Sequence, residues 1–206
     1  MMNKKPSIVY WLGDSVYLNL TNRCSNNCYF CVRNFRYGLD NFNLTLDREP
    51  DIDEVINELN SVLKRRSWQE VVFCGFGEPL ERLDCIIEVS KLIKKNHKLP
   101  IRINTNGHGY LLNKERKVIE ELKDTAIDKL SVSLNAHDKN VYNRISKPVF
   151  EDAFDHVLDF IEKARNIIDT EITAVALPEV DLQKIEEYAN KIGASFRRRE
   201  YYSPIW

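Results

Sequence analysis

The sequence predicts an α/β protein, an open, partial TIM-like barrel of about six parallel strand–helix units, (β/α)6, in a single domain over residues 1–206. Three observations predict it. Short apolar segments alternate with longer amphipathic ones, the pattern of a parallel sheet covered by helices. No internal repeat, low-complexity tract or linker rich in Gly, Pro or Ser divides the chain. Every unusual residue falls directly after a strand-like segment, where barrels of this kind gather their chemistry.

Residues 16–20, Val-Tyr-Leu-Asn-Leu, read as the first strand and run into a cysteine loop at 22–33. The polar stretch 33–50 is long for a connection and is a candidate to close over a substrate. Residues 51–66 form a helix with Ile52, Val55, Ile56, Leu59 and Leu63 on one stripe. Its first turn is acidic (Asp51, Asp53, Glu54) and its last basic (Lys64, Arg65, Arg66), as the helix dipole favours. Residues 71–74 are a second strand, followed by Gly75-Phe-Gly-Glu-Pro79 and a helix over 84–95. A third strand, 101–104, enters Thr105-Asn-Gly107, and a helix covers 113–122. The fourth strand is 130–134, and a helix over 150–168 follows it, with a short helix from Asp138 between. A fifth strand (172–177), a helix (182–192) and a sixth strand (194–201) complete the series. Six such steps, the last without its helix, leave the barrel open.

The bulk numbers limit the function. At 43% hydrophobic and 30% charged, the chain has material for a core and no signature of disorder. The 30 Lys and Arg nearly cancel the 31 Asp and Glu, whereas nucleic-acid binders show a basic excess. No apolar run approaches bilayer-spanning length, and no apolar signal core follows the first seven residues. Met2 stands where myristoylation needs glycine, and Ser203-Pro-Ile-Trp206 is not a prenylation box. These features predict a cytoplasmic protein without membrane or nucleic-acid partners.

Five cysteines occur, at 24, 28, 31, 74 and 85. An odd count with three inside eight residues is a metal-binding pattern rather than a disulfide framework. Thiolates are the favoured ligands of iron–sulfur clusters. A [4Fe–4S] cube held by Cys24, Cys28 and Cys31 leaves one iron without a protein ligand, and an open position is what separates a catalytic metal site from a structural one. Cys74, in a buried strand, and Cys85, on an apolar helix face, read as small hydrophobes. A zinc site of three cysteines and a histidine is the alternative, but zinc sites more often pair two C-x-x-C knuckles and no second knuckle exists here.

The run Asn19-Leu-Thr-Asn-Arg-Cys24-Ser-Asn-Asn-Cys28-Tyr-Phe-Cys31 resembles the signature of the radical S-adenosylmethionine (SAM) superfamily, with Phe30 as the aromatic before the third cysteine. Gly75-Phe-Gly-Glu-Pro79 resembles that superfamily's SAM-binding motif. The short length and the Thr-Asn-Arg-Cys opening further resemble the small TatD-associated members. The resemblance implies a [4Fe–4S] cluster and SAM as cofactors. One electron, from a donor such as flavodoxin or ferredoxin, would cleave SAM to methionine and a 5′-deoxyadenosyl radical, which abstracts hydrogen from a substrate, small molecule or protein. It also implies roles. Gly75 and Gly77 let the backbone approach the methionyl end, and Glu78 accepts from its amine. Ser133 and Asn135, with Thr105 and Asn106 as second candidates, bind the ribose, and Phe30 packs on the adenine or fills core. His108 and His137 are solvated loop residues or substrate contacts. Arg33, Arg36 and the run Arg197–Arg199 are candidate anion contacts, the last being equally an exposed edge strand. Two other functions stay open: a glycyl-radical activase or peptide modifier, and a non-enzymatic iron–sulfur or zinc protein. The chain stops near the sixth strand, so no C-terminal capping domain or auxiliary cluster is expected.

Overall fold

Strands β1 (Val9–Leu12) and β2 (Ser15–Leu18) open the fold as an antiparallel hairpin. The computed structural model describes residues 5–202; segments 1–4 and 203–206, which carry much of the reading about terminal signals, lie outside it. After β2 comes a small hairpin of β3 (Gly38–Leu39) and β4 (Phe42–Asn43). Then follow α1 (Ile52–Leu63), β5 (Glu70–Phe73), α2 (Leu83–Asn96), β6 (Ile101–Thr105), α3 (Gly109–Leu112) and α4 (Val118–Asp124). The remainder is β7 (Lys129–Ser133), α5 (Lys139–Ser146), α6 (Ala153–Ala164), β8 (Asp169–Val175), α7 (Leu182–Ile192) and β9 (Ser195–Arg199). The main sheet has seven strands in the order β1-β2-β5-β6-β7-β8-β9, parallel from β2 onward. Six parallel strands without closure make the open barrel that the alternation predicts. Among the described residues no helix is long and apolar enough to cross a membrane.

The two faces of this sheet differ. Val16, Leu18, Val71, Phe73, Ile101, Ile103, Leu130, Val132, Ile172 and Ala174 share the outer face and are buried under the helices. Each such aliphatic side chain contributes about 1.5–3 kcal/mol when withdrawn from water. The alternate residues, among them Tyr17, Arg102, Asn104, Ser131, Thr173 and Arg197, turn to the concave side. Residues of β2 and β9, at opposite ends of the parallel run, line one cavity of about 420 Å³, so the sheet is curled.

The helices start and stop where the sequence provides caps. Asp51 and Glu54 form a reciprocal capping box at the head of α1 (2.9 and 3.0 Å). Asp138 caps α5, Asp181 caps α7, and Gly193 ends α7 with φ of 74°. Three expectations change. The helix predicted over 113–122 begins only at Val118, as α4, because Asn113 closes the separate short α3, its amide donating to Gly109 O (3.1 Å) and Leu80 O (3.0 Å). The helix over 150–168 is only α6. The stretch 33–50 does not hang free: it carries the β3–β4 hairpin, Leu44 and Leu46 are buried, and Leu44 joins Tyr10 and Phe76 in a second small core.

Candidate active site

The cysteine loop leaves β2 at the end of the sheet where the parallel strands finish, and backbone contacts fix it on both sides. Toward β5, Glu78 N donates to Arg23 O at 2.8 Å. Toward α5, Asn27 N donates to Ser146 O (2.9 Å) and Tyr29 N to Ile145 O (3.2 Å). Beneath, Asn22 exchanges two hydrogen bonds with Leu46 (2.7 and 3.1 Å), and Arg33 reaches Asn22 O and Asn26 O. Arg23 and Thr21 both engage Glu49 (2.7 and 2.6 Å). Cys24, Cys28 and Cys31 all lie half-buried on this braced loop.

Gly75 and Gly77 lie tight against the segment that leads into the cysteine loop. A Cβ on Gly77 would stand 2.4 Å from the carbonyl oxygens of Thr21 and Arg23, and one on Gly75 would stand 2.0 Å from Asn19 Oδ1. The glycines therefore let the cysteine loop lie against the end of β5. Glu78 is buried, and its carboxylate already accepts from Thr105 Oγ1 (2.7 Å), Asn106 N (2.6 Å) and Leu80 N (3.1 Å). Burial outweighs these donors and pushes its pKa up to about 7. Thr105 and Asn106 thus sit beside Glu78, and Asn106 Nδ2 continues to Ser25 Oγ (2.9 Å) and Cys24 Sγ (3.8 Å).

Ser133 and Asn135 fall in a second group, across the sheet, where Arg199 Nη2 donates to Ser133 Oγ (3.3 Å) and Asn135 Oδ1 (3.1 Å). Asn135 adopts φ of 58° and also accepts from Val175 N (3.2 Å), tying the ends of β7 and β8. Phe30 packs edge-to-face on Tyr29 and against the main core. Cys85 is buried in the α2 face as expected, whereas Cys74 is half-buried just beyond β5, its carbonyl accepting from Tyr10 Oη (3.2 Å). His137 accepts from Asp181 N (3.1 Å) and meets Asp138 (3.2 Å), so it joins two helix starts.

Two features of the site carry no sequence motif. His108 is fully buried between Ser25 and Tyr142, not solvated. Arg197 and Arg199 both face the cavity, while Arg198 turns outward to Glu200. A signal for the second existed: Arg102 and Asn104, Ser131 and Ser133, and Glu171 and Thr173 alternate with apolar residues. A parallel strand buried on both faces reads as a continuous apolar run instead.

The donor set fits an iron–sulfur cube. Cys28 is raised by burial and then by the charges of Cys24 and Cys31, to about 12, so the three thiols are in mutual electrostatic range. Burial and Glu78 raise Cys24 to about 11, and Arg33 opposes both shifts. Among the described residues no three His, Cys, Asp or Glu side chains are arranged to hold a single ion. A cube distributes its thiolates over separate irons, so its cysteines need not converge on one point.

An open parallel barrel with a three-cysteine loop clasped to a glycine-rich turn defines a class of protein, and comparison agrees. A family model described as the radical SAM superfamily matches residues 18–192. The chain belongs to the radical SAM superfamily. It is 29% identical over 191 residues to a probable GTP 3′,8-cyclase of Methanocaldococcus jannaschii, covering 91% of this chain and 58% of that protein. It is 31% identical over 137 residues to the GTP 3′,8-cyclase of Limosilactobacillus fermentum, covering 66% and 38%. The chain thus spans less than two thirds of these relatives. In fold it is similar to Streptococcus suis SuiB bound to precursor peptide SuiA (TM-score 0.68, 15% identity, 90% of this chain and 38% of that one). It is also similar to methylornithine synthase, PylB (TM-score 0.63, 16% identity, 92% and 55%). The narrower TatD-associated resemblance is not among what these relatives show.

Proposed function

We propose that this chain is a cytoplasmic radical SAM enzyme in which Cys24, Cys28 and Cys31 hold a [4Fe–4S] cluster, reduced by a donor such as flavodoxin or ferredoxin. When bound, the reduced cluster and SAM supply a 5′-deoxyadenosyl radical that takes a hydrogen atom from the substrate. One observation carries this proposal. The two motifs meet through the Glu78 backbone on Arg23 (2.8 Å), and the Glu78 carboxylate meets Asn106 N (2.6 Å), whose side chain reaches Cys24. Glu78 would stand beside the methionyl end of SAM, where Oε2, which accepts only from Asn106 N (2.6 Å), would keep one lone pair for a bound amine. Ser133 and Asn135, at the end of β7, would hold the ribose, with Thr105 engaged by Glu78 (2.7 Å) and Phe30 packed on Tyr29.

The test is anaerobic reconstitution with iron and sulfide, reduction with SAM present, and assay for 5′-deoxyadenosine. We expect it from the wild type and not from Cys28→Ala. A properly loaded [4Fe–4S] cluster that neither binds nor cleaves SAM would replace the enzyme by an electron-transfer or scaffold protein.

A further inference from the structure

Four cationic side chains, Arg102, Lys129, Arg197 and Arg199, line the concave cavity against two carboxylates, Glu70 and Glu171. The wall therefore carries a net charge of +2, while the whole chain carries −1. Three of the cations are matched. Arg102 Nη2 lies 2.7 Å from Glu70, Arg197 Nε 2.6 Å from Glu171 and Lys129 Nζ 3.3 Å from Glu171. Arg199 has no carboxylate partner among the described residues. Its Nη2 donates to Ser133 and Asn135, and its Nε is buried there without an acceptor. A guanidinium cannot shed its proton to relieve such a position. Burial lowers the Arg199 pKa, the sign of a charge short of compensation. A buried polar group of this kind is stabilised when a ligand brings the missing charge.

Of the residues proposed to hold SAM, only Ser133 lines the cavity. Its lining comes from β2 and β5 through β9, and no residue of the cysteine loop or of 75–79 belongs to it. Arg199 stands at the strand end of the cavity, within electrostatic reach of Cys28 and Cys31. A volume of about 420 Å³ with a mainly polar lining suits a small hydrophilic metabolite.

We propose that Arg199, steadied by Ser133 and Asn135, recognises the anionic group of the substrate, and that the substrate is a small molecule bearing a carboxylate or a phosphate. The word substrate rests on the radical SAM reading; the anion site itself does not. Calorimetric titration of inorganic phosphate, and separately of malonate, into the cluster-loaded, SAM-bound protein tests it without turnover. Arg199→Gln is the test variant, and Arg198→Gln, on the same strand but paired outward with Glu200 at 3.0 Å, is the control.

At least one anion is expected to bind the wild type, to lose about tenfold or more in affinity in Arg199→Gln, and to be unaffected in Arg198→Gln. Binding of phosphate alone indicates a phosphate ester, and of malonate alone a carboxylate. Equal affinity in wild type and Arg199→Gln, or binding of neither anion, overturns the proposal. So does a loss of SAM affinity in Arg199→Gln with anion binding kept, which would make Arg199 a contact of the SAM carboxylate. Should Arg199→Gln not fold, Arg199→Lys keeps the charge and loses the fork; weaker anion binding supports the assignment and unchanged binding overturns it. Anion binding that survives in a protein unable to cleave SAM would sink the enzyme reading and leave the site standing.

Discussion

The imidazole of His108 lies between the hydroxyls of Ser25 (2.8 Å) and Tyr142 (2.9 Å), and Asn26 Nδ2 reaches the same tyrosine at 3.2 Å. Neutral imidazole has one donor and one acceptor, so two hydroxyls satisfy it completely. Burial, with a smaller contribution from His156, lowers its pKa to about 4. The unfolded chain takes that proton near 6.5, so folding is favoured in full above this pH, and the contribution is lost as pH falls toward 4. The slope is at most about 1.4 kcal/mol per pH unit. His108→Gln keeps hydrogen-bonding capacity without a titration. In urea unfolding at pH 7 and pH 5 the wild type should lose more stability on acidification than the variant. A pH-independent difference between them would rule out a neutral, buried His108. The sequence shows a histidine in a loop and nothing more, since its partners lie 83 and 34 positions away.

At the scale of elements, the strand and helix order was legible because alternation and amphipathic stripes are local signals. Caps such as Asp51 with Glu54 were legible for the same reason. Asn113 was not, because an asparagine serves the end of one helix as readily as the start of the next, and only its bond to Leu80 O decides. β1 was not legible because only its antiparallel pairing with β2 makes its four residues a strand, and it stands outside the strand–helix alternation. The glycine-rich turn was legible as a motif, but its packing was not, since Gly77 answers to carbonyls over fifty positions earlier. Those carbonyls belong to backbone and cannot swing away, so Gly77→Ala must displace the cysteine loop or the turn. We expect a loss of about 1–3 kcal/mol in the apo-protein, as for other overpacked sites, together with lower iron content after reconstitution. Calorimetric melting and an iron assay on the same preparation read the two effects. A variant that melts and loads like wild type would show that the clasp is slack.

Over the whole molecule, one face of the sheet supplies the core and the other a charged interior, and net composition conceals the second completely. Near-neutrality overall says nothing about charges sorted by strand alternation; only pairing register puts Lys129 beside Arg102 and Arg197 beside Thr173. Glu171 holds much of this interior together, bonded to Arg197 (2.6 Å), Ser131 (3.1 Å) and Lys129 (3.3 Å). Burial alone would raise its pKa, but Arg197 and Lys129 outweigh burial and hold it below the usual carboxylate range. A depressed carboxylate stabilises the fold above its unfolded pKa, near 4.5, and that contribution is lost as pH falls through the lower folded value. Glu171→Gln removes the charge and leaves two cations facing each other. Because Arg197 is 45% exposed, solvent screens part of the repulsion, and a loss of about 1–2 kcal/mol at pH 7 is expected. Denaturation at pH 7 and pH 4 should show this deficit shrinking in acid, where Glu171 of the unfolded wild-type chain takes up a proton before the folded one does. The same substitution makes the cavity wall more positive by one unit, so anion affinity should rise while stability falls. Both quantities falling together would mean that Glu171 shapes the cavity and does not merely balance its charge.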